Sequence, residues 1–435
     1  MAAPVVGLNV LNVLSLAVDT ALCGRLPDKE VVLAALGYAV QLLFLLQVFM
    51  FGLSIGAVAL VARAYGATQH GRVQHVLDQA LLGTVLVSVF IAVFGNLAAR
   101  PLVRMLGGDE HVTDEAMRFL RPLLTFTVFT YMILLFAAVL RGVGNTALAF
   151  RVALLQNVLN LVFNSTLIHG AFGIPGYGVA GAAWGTVASQ ALSTMVLFWQ
   201  LRRGAVPGVT LRFARRLDLS TFRQLWTVGV PAGLDMVILN ASFMSLVALL
   251  GYLDDVAVGA HGVGLRVMAL AFVPGMSVAQ ATAALVGQAL GAGEPERARA
   301  VYRSSLVLCL GIMATTGLVI TTFAPWIVAI FDVDAASPMG RYAVVWMQIL
   351  GLGMPAIAPW VATSGLLQGA GETQTCLRIS LWVTLLVQMP CSALLGIALG
   401  WGPVGVWLGL PLAGIARVAM GYSAYRSGRW ARTGA

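Results

Sequence analysis

Charge is what this sequence has least of. Only 10% of its 435 residues are Asp, Glu, Lys or Arg, where a soluble globular chain carries about a quarter. So little charge cannot cover a surface that faces water. A hydrophobic fraction of 59% and a mean hydropathy of +0.90 instead suit contact with lipid. Lysine is nearly missing as well: Lys29 is the one Lys among 26 basic residues. Those residues sit in short loops and are not interleaved with aromatics, so the net charge of +9 points to no nucleic-acid partner. The four cysteines (Cys23, Cys309, Cys376 and Cys391) lack metal-ligand spacing and read as small buried hydrophobes. The five histidines (His70, His75, His111, His169 and His261) are dispersed, mostly near loops. No metal set or Ser/His/Asp arrangement can be assembled from them, which counts against an integral-membrane enzyme. No cofactor is expected. The glycine-rich turn Gly142-Val143-Gly144 has neither the preceding strand nor the Lys-Ser/Thr of a phosphate-binding loop. Val5 to Cys23 lacks a positive leader region, and Leu22 is too large for a lipoprotein-type cleavage site, so this stretch reads as a first spanning helix.

What the sequence does have is long apolar runs. A spanning helix needs about 20 mostly apolar residues. Such runs lie near 4–24, 32–62, 75–98, 116–140, 147–171 and 179–201, then near 224–250, 256–290, 300–324, 340–367, 376–399 and 403–425. The expectation is an all-α integral membrane protein with twelve transmembrane helices. An even number leaves both termini on one side. On that side the loops hold 17 basic residues, against 7 on the other, while Arg266 and Arg417 lie inside apolar runs. The positive-inside rule therefore places both termini in the cytoplasm, with the chain in the cell (inner) membrane.

The two sets of six helices share one pattern. Residues 61–73 (VARAYGATQHGRV) reappear as 286–298 (VGQALGAGEPERA), and 141–146 (RGVGNT) as 368–373 (QGAGET). Pro4 with Pro231, Gly24 with Gly251, and Gly178-Val179 with Gly405-Val406 pair at an offset of 227. An even helix number keeps both repeats in the same orientation, giving two pseudo-symmetric six-helix bundles with substrate bound between them. The expected domains are an N-terminal bundle over 1–203, a basic cytoplasmic linker over 204–223 and a C-terminal bundle over 224–435.

Ionisable groups inside a membrane are costly and so mark function. Asp19 and Asp235 are the acidic residues clearly within spans. Asn9, Asn12, Ser15 and Asp19 form one stripe along the first helix by their spacing. Asn157, Asn160 and Asn164 form a matching stripe on the fifth. A zipper of interhelical hydrogen bonds could explain the amides, but a carboxylate among them favours a reversible proton or cation site. Asp235 shares its face with Ser242 and Ser245, and Arg266 is a candidate counter-ion for a carboxylate. His261 reads as an interfacial residue, while Gln41, Gln47, Gln280 and Gln388 could line a cavity.

At these residues the sequence resembles the multidrug and toxic compound extrusion (MATE) family. The segments are 16-LAVDTALCGRL-26 with Leu33-Ala34-Ala35, 141-RGVGNT-146, 157-NVLNLVFN-164, 178-GVAGAAWGT-186, 286-VGQALGAG-293 and 368-QGAGET-373. They span nearly the whole chain in family order. The short acidic first loop and Asp19 look most like the DinF-type branch. The resemblance implies a MATE-like fold, a V-shaped pair of bundles that alternate between outward- and inward-open states. It implies proton uptake at Asp19, a bend of the first helix at Pro4, and a cavity lined by Asn12, Asn157, Asn160 and Thr186, to which Asn164 is added as a candidate. Two departures stand out. Asn164 occupies a position where the family often has a second Asp, so like-charge repulsion cannot raise the proton affinity of Asp19. Residues 340–367 hold no Asp or Glu, which disfavours the sodium site of sodium-coupled members.

The function these features suggest is a secondary antiporter, a monomer that exports small organic cations or amphiphiles in exchange for protons. A flippase for lipid-linked saccharides is the nearest alternative. It would need several cavity arginines for a pyrophosphate, and only Arg266 and Arg417 are available.

Overall fold

A segment surrounded by lipid must satisfy every backbone N–H and C=O within itself, and a helix does so. The computed structural model describes residues 2–24, 26, 28–171, 173, 175–209, 211 and 217–432, except for the side chains of residues 2, 12–21 and 29. Among the described residues, twelve long helical stretches follow one another. They are α1 (Ala2–Cys23), α2 (Lys29–Gly66), α3 (His70–Met105), α4 (Glu110–Thr125 with Thr127–Gly142), α5 (Thr146–His169) and α6 (Gly178–Arg202). Then come α7 (Leu219–Leu253), α8 (Asp255–Gly291), α9 (Pro295–Ala329), α10 (Pro338–Gly369), α11 (Thr373–Ala398) and α12 (Gly402–Arg426). The two parts of α4 meet at 55°, with Phe126 at the break.

By length and apolar composition, nine of these helices suffice among the described residues to cross a membrane, and ten if bent α4 is one span. In α1 the side chains of residues 12–21 lie outside the described residues. Helix α6 is diluted by Gly178, Gly181, Gly185, Ser189, Gln190 and Ser193. Small and polar residues of that kind serve packing against neighbouring helices better than contact with lipid.

The chain divides into two compact units, Ala3–Val230 and Pro231–Ala435. The division falls inside α7 at Pro231, whose ring removes one donor from the helical ladder. Pro4, its counterpart in the sequence, lies in the first turn of α1, where a missing N–H breaks no helical bond. The core of the first unit is built on residues such as Val61, Leu77, Leu120, Tyr131 and Phe136. That of the second includes Met313, Met347, Met354, Val361 and Leu366.

The repeated sequence segments become repeated punctuation. Helix α4 ends at Gly142 and α10 at Gly369. Two residues later the backbone takes a positive φ, +87° at Gly144 and +81° at Gly371, a conformation that glycine adopts without a Cβ penalty. Helices α5 and α11 then start at Thr146 and Thr373.

The approach to α7 is fixed by Asp218. Its Oδ1 accepts from the Ser220 N–H at 3.0 Å and its Oδ2 from the Thr221 hydroxyl at 2.7 Å, so it caps the helix. One turn apart on α3, His75 Nε2 meets Asp218 Oδ2 at 2.8 Å and Gln79 Oε1 accepts from the Asp218 N–H at 3.0 Å. The hydrogen bond from His75, followed by those from Thr221 and Ser220, holds the Asp218 carboxyl well below the usual carboxylate range. A lowered folded-state pKa stabilises above the unfolded value, near 3.9, and that contribution is lost as pH falls through the folded value. Asp218→Asn is therefore expected to lower the melting midpoint slightly at pH 7. The deficit should begin to shrink below about pH 4 and vanish only as pH approaches the folded value, and a deficit undiminished well below pH 4 would contradict this cap.

Candidate functional site

In the first unit the polar residues of α5 and α6 face one another. Asn160 is 4% exposed and Asn164 fully buried. The Asn160 amide donates to the Thr186 hydroxyl at 3.1 Å, so two residues selected from the sequence bond directly across the seam. Asn164 lies against Gly185, where an added Cβ would come within 2.1 Å of its Oδ1. Gly185 thus makes the room that this amide occupies. Asn157 is half-buried, and its amide donates to the Ala153 carbonyl one turn back, at 2.8 Å. Two further bonds tie α4 into the bundle: Thr130 donates to Gln190 at 2.6 Å and Tyr131 to the Leu46 carbonyl at 2.8 Å. The backbone of α1 carries Asn12 and Asp19, whose side chains lie outside the described residues.

The second unit holds a separate polar cluster on α7, α11 and α12. Arg417 is 6% exposed, and its Nη2 donates to the Thr384 hydroxyl at 3.1 Å and to Gln388 Oε1 at 3.5 Å. The Gln388 amide reaches the Ser242 carbonyl on α7, also at 3.5 Å. Asp235 on α7 is half-buried. The Oδ1 of Asp235 is buried and has no hydrogen-bond partner. Thr384 and Gln388 are four residues apart on α11 and so share one face. Residues Thr384–Gln388 form a π-turn just before Pro390, a widened turn of a kind often found at functional sites.

Arg266, the counter-ion candidate from the sequence, is exposed, whereas Arg417 is buried. His261 also departs from expectation. It is fully buried, its Nδ1 accepts from the Trp407 indole at 3.2 Å, and the Trp346 ring lies 5.1 Å away. Of the four glutamines, Gln41 and Gln47 are exposed, Gln280 is half-buried and Gln388 is fully buried within the Arg417 cluster.

Comparison with known proteins covers the whole chain. The MatE family model matches twice, over residues 4–166 and 231–394. The two matches begin 227 residues apart, the offset of the internal repeat. The "Probable multidrug resistance protein NorM" of Thermotoga maritima is 27% identical over 446 residues, covering 99% of this chain and 92% of its own length. The "Probable multidrug resistance protein YoeA" of Bacillus subtilis is 26% identical, covering 96% and 90%. Among solved structures, a MATE protein in the bent conformation superposes with a TM-score of 0.91 at 21% identity, covering 100% of this chain and 94% of the other. The straight conformation gives 0.90 at 22%, covering 100% and 95%.

Proposed function

The chain belongs to the MATE family, a family of transporters and not of enzymes, and from that premise we propose that it is a proton-coupled antiporter. It is an all-helical, multi-pass membrane protein with small-molecule substrates. The proposed cargo is cationic or amphiphilic drugs and metabolites, exported by alternating access, with the proton as coupling ion and no further cofactor. The proposed coupling group is Asp19, in the manner of the DinF-like branch, with Pro4 permitting the first helix to bend. Asn12, Asn157, Asn160, Asn164 and Thr186 are the proposed cavity and substrate-binding residues. The chain is proposed to work as a monomer in the inner membrane with both termini cytoplasmic. Its parts are then an N-lobe over 1–203, a basic linker over 204–223 and a C-lobe over 224–435.

The observation that carries this reading is the family match, taken together with the charge inventory. Asp19 is the carboxylate clearly within a span of the first lobe, beside amides, whereas Asp78, Arg118, Arg121 and Arg151 fall in the first turns of their apolar runs. An ionised carboxylate there attracts a cation, and a proton that neutralises it releases the cation. The relatives named as multidrug resistance proteins support the substrate class. The test is efflux of a fluorescent organic cation from proteoliposomes with either a proton or a sodium gradient imposed. Efflux driven by the proton gradient alone is expected. Efflux driven by sodium alone, or by neither, overturns the coupling.

A further inference from the structure

Three helices of the second unit each bring an aromatic ring to one place within their first turns: His261 of α8, Trp346 of α10 and Trp407 of α12. All three residues are fully buried. The Trp346 and Trp407 rings stack with centroids 5.5 Å apart, and the His261 ring lies 5.1 Å from Trp346. Gly264, one turn beyond His261, leaves room for the Trp346 indole, which a Cβ there would strike. Leu246 and Leu250 of α7 and Val406 of α12 complete the apolar cluster.

One polar bond crosses this cluster. The Trp407 indole donates to His261 Nδ1 at 3.2 Å. An indole N–H can only donate, so Nδ1 is unprotonated and the ring is neutral, with its single proton on Nε2. Nε2 is buried without a partner, and so is Trp346 Nε1. Both are donors, and neither can receive another N–H. Among the described residues no charged group faces the ring to favour an imidazolium. On α8, Asp255 and Arg266 are exposed, as are Tyr252 of α7 and Arg341 of α10. Asp254 is turned to the start of α8, where it accepts from the Val256 N–H at 2.8 Å. Tyr342 of α10 meets Trp407 edge to face, with centroids 6.1 Å apart. Asp235 of α7 and Arg417 of α12 stand about three turns from Leu246 and Trp407. Between Thr384 and Ala398, α11 has Cys391 as its one titratable residue.

We propose that His261 is a proton site of the second unit, and that a proton bound there unlocks α8 from α12. A second proton enters the ring only at Nδ1, where it points a donor at the Trp407 N–H. The bond is lost, and two donors face each other in an apolar core. The protonated ring and the packing around it are therefore mutually exclusive. Acid favours a form of the unit in which α8 and α12 part beside His261 and the imidazolium is solvated. With both termini cytoplasmic, as proposed above, this end of the unit faces outward. The exclusion itself depends neither on that topology nor on Asp19.

The test is peptide-resolved amide exchange on the full-length protein in nanodiscs, below its unfolding temperature. It compares about pH 7.5 with about pH 5.5, on either side of the ordinary histidine value, with the intrinsic pH dependence of exchange divided out. A proton that binds only the open form, with a pKa near 6.5, favours that form about tenfold at pH 5.5. Protection over residues 256–266 and 403–411 is expected to fall by about that factor in acid. His261→Asn, whose Oδ1 replaces Nδ1 as acceptor and takes no proton, should show no acid loss, and His261→Gln stands in if it does not fold. Trp407→Phe, which removes the N–H, should loosen both segments already at the higher pH. Asp19→Asn should keep the acid loss, which separates this site from the proposed coupling group. Four outcomes overturn the proposal. One is full protection of the unsubstituted chain at the lower pH, and another is an acid loss that survives substitution of His261. The third is an acid loss that Asp19→Asn removes, and the fourth is a folded Trp407→Phe protein as protected as the unsubstituted chain.

Discussion

Gly369→Leu is expected to abolish recovery of a monodisperse, folded transporter, whereas Gly311→Leu in the same lobe should be recovered normally. Helix α10 presents Gly365 and Gly369 one turn apart toward Ala279 and Ala283 of α8. A Cβ at Gly369 would stand 2.3 Å from the Ala283 carbonyl oxygen and 2.7 Å from its Cα, and one at Gly365 2.5 Å from the Ala279 carbonyl oxygen. A carbon and an oxygen do not normally approach closer than about 3.3 Å. The obstacles are backbone atoms, which no rotamer change can clear, so one helix must shift by an ångström or more along a seam that runs two turns. Overpacking usually costs about 1–3 kcal/mol when side chains can give way. Here they cannot, and Leu adds three carbons beyond the Cβ, so the cost should exceed that range. Gly311 on α9 is exposed and has nothing within 4 Å of its would-be Cβ. The related glycine of the first lobe, Gly142, is looser: its Cβ would meet Val61 Cγ1 at 3.2 Å and the Ala62 nitrogen at 3.4 Å. Gly142→Ala is thus expected to be milder than Gly369→Ala. Fluorescence-detected size exclusion reads all four substitutions, and equal peaks for Gly369→Leu and Gly311→Leu would exclude close α8–α10 packing.

Much of this architecture could be read before any coordinates, because lipid leaves a chain few choices. Apolar runs gave the helices, and two segments that repeat in order gave the duplication, since turns such as 141–146 and 368–373 need glycine at the same backbone position. Helix ends were harder. The run read as 75–98 is the core of a helix over His70–Met105, because hydropathy sees the apolar part and not the polar turns that continue the same hydrogen-bond ladder. The azimuth of a lone charge was harder still. Arg266 and Arg417 both interrupt apolar runs, and nothing in their immediate neighbours tells which one turns inward. In the fold Arg417 meets Thr384 and Gln388 of α11, partners distant in the chain that its own neighbours do not reveal. His261 escaped for a related reason. Its burial depends on Trp346 and Trp407, which are distant in the chain. The asparagine stripe of α5 was legible from its spacing, but the spacing could not show that Gly185 makes room for Asn164.

Asp19→Asn is expected to reduce proton-driven efflux of a fluorescent cation to background while leaving the protein folded. The substitution keeps the shape of the side chain and removes its ability to ionise. Without the negative charge, a cationic substrate loses a charge-assisted contact worth about 1.5–3 kcal/mol, a weakening of roughly tenfold or more in affinity. Without the exchangeable proton, the outward- and inward-open states no longer differ in proton affinity at this position, and a ligand shifts an equilibrium only by such a difference. The two losses can be separated. Binding of the cation, measured by fluorescence anisotropy, should weaken, and release on a drop in external pH should vanish. Asp19→Glu should restore part of both. Thr186→Ala provides the contrast: it removes the 3.1 Å bond from Asn160 and with it about 0.6 kcal/mol of interhelical stabilisation. It should lower the melting midpoint while the pH-triggered release persists. If Thr186→Ala abolished that release and Asp19→Asn spared it, the coupling group would belong to the α5–α6 seam, and the assignment to the first helix would have to be withdrawn.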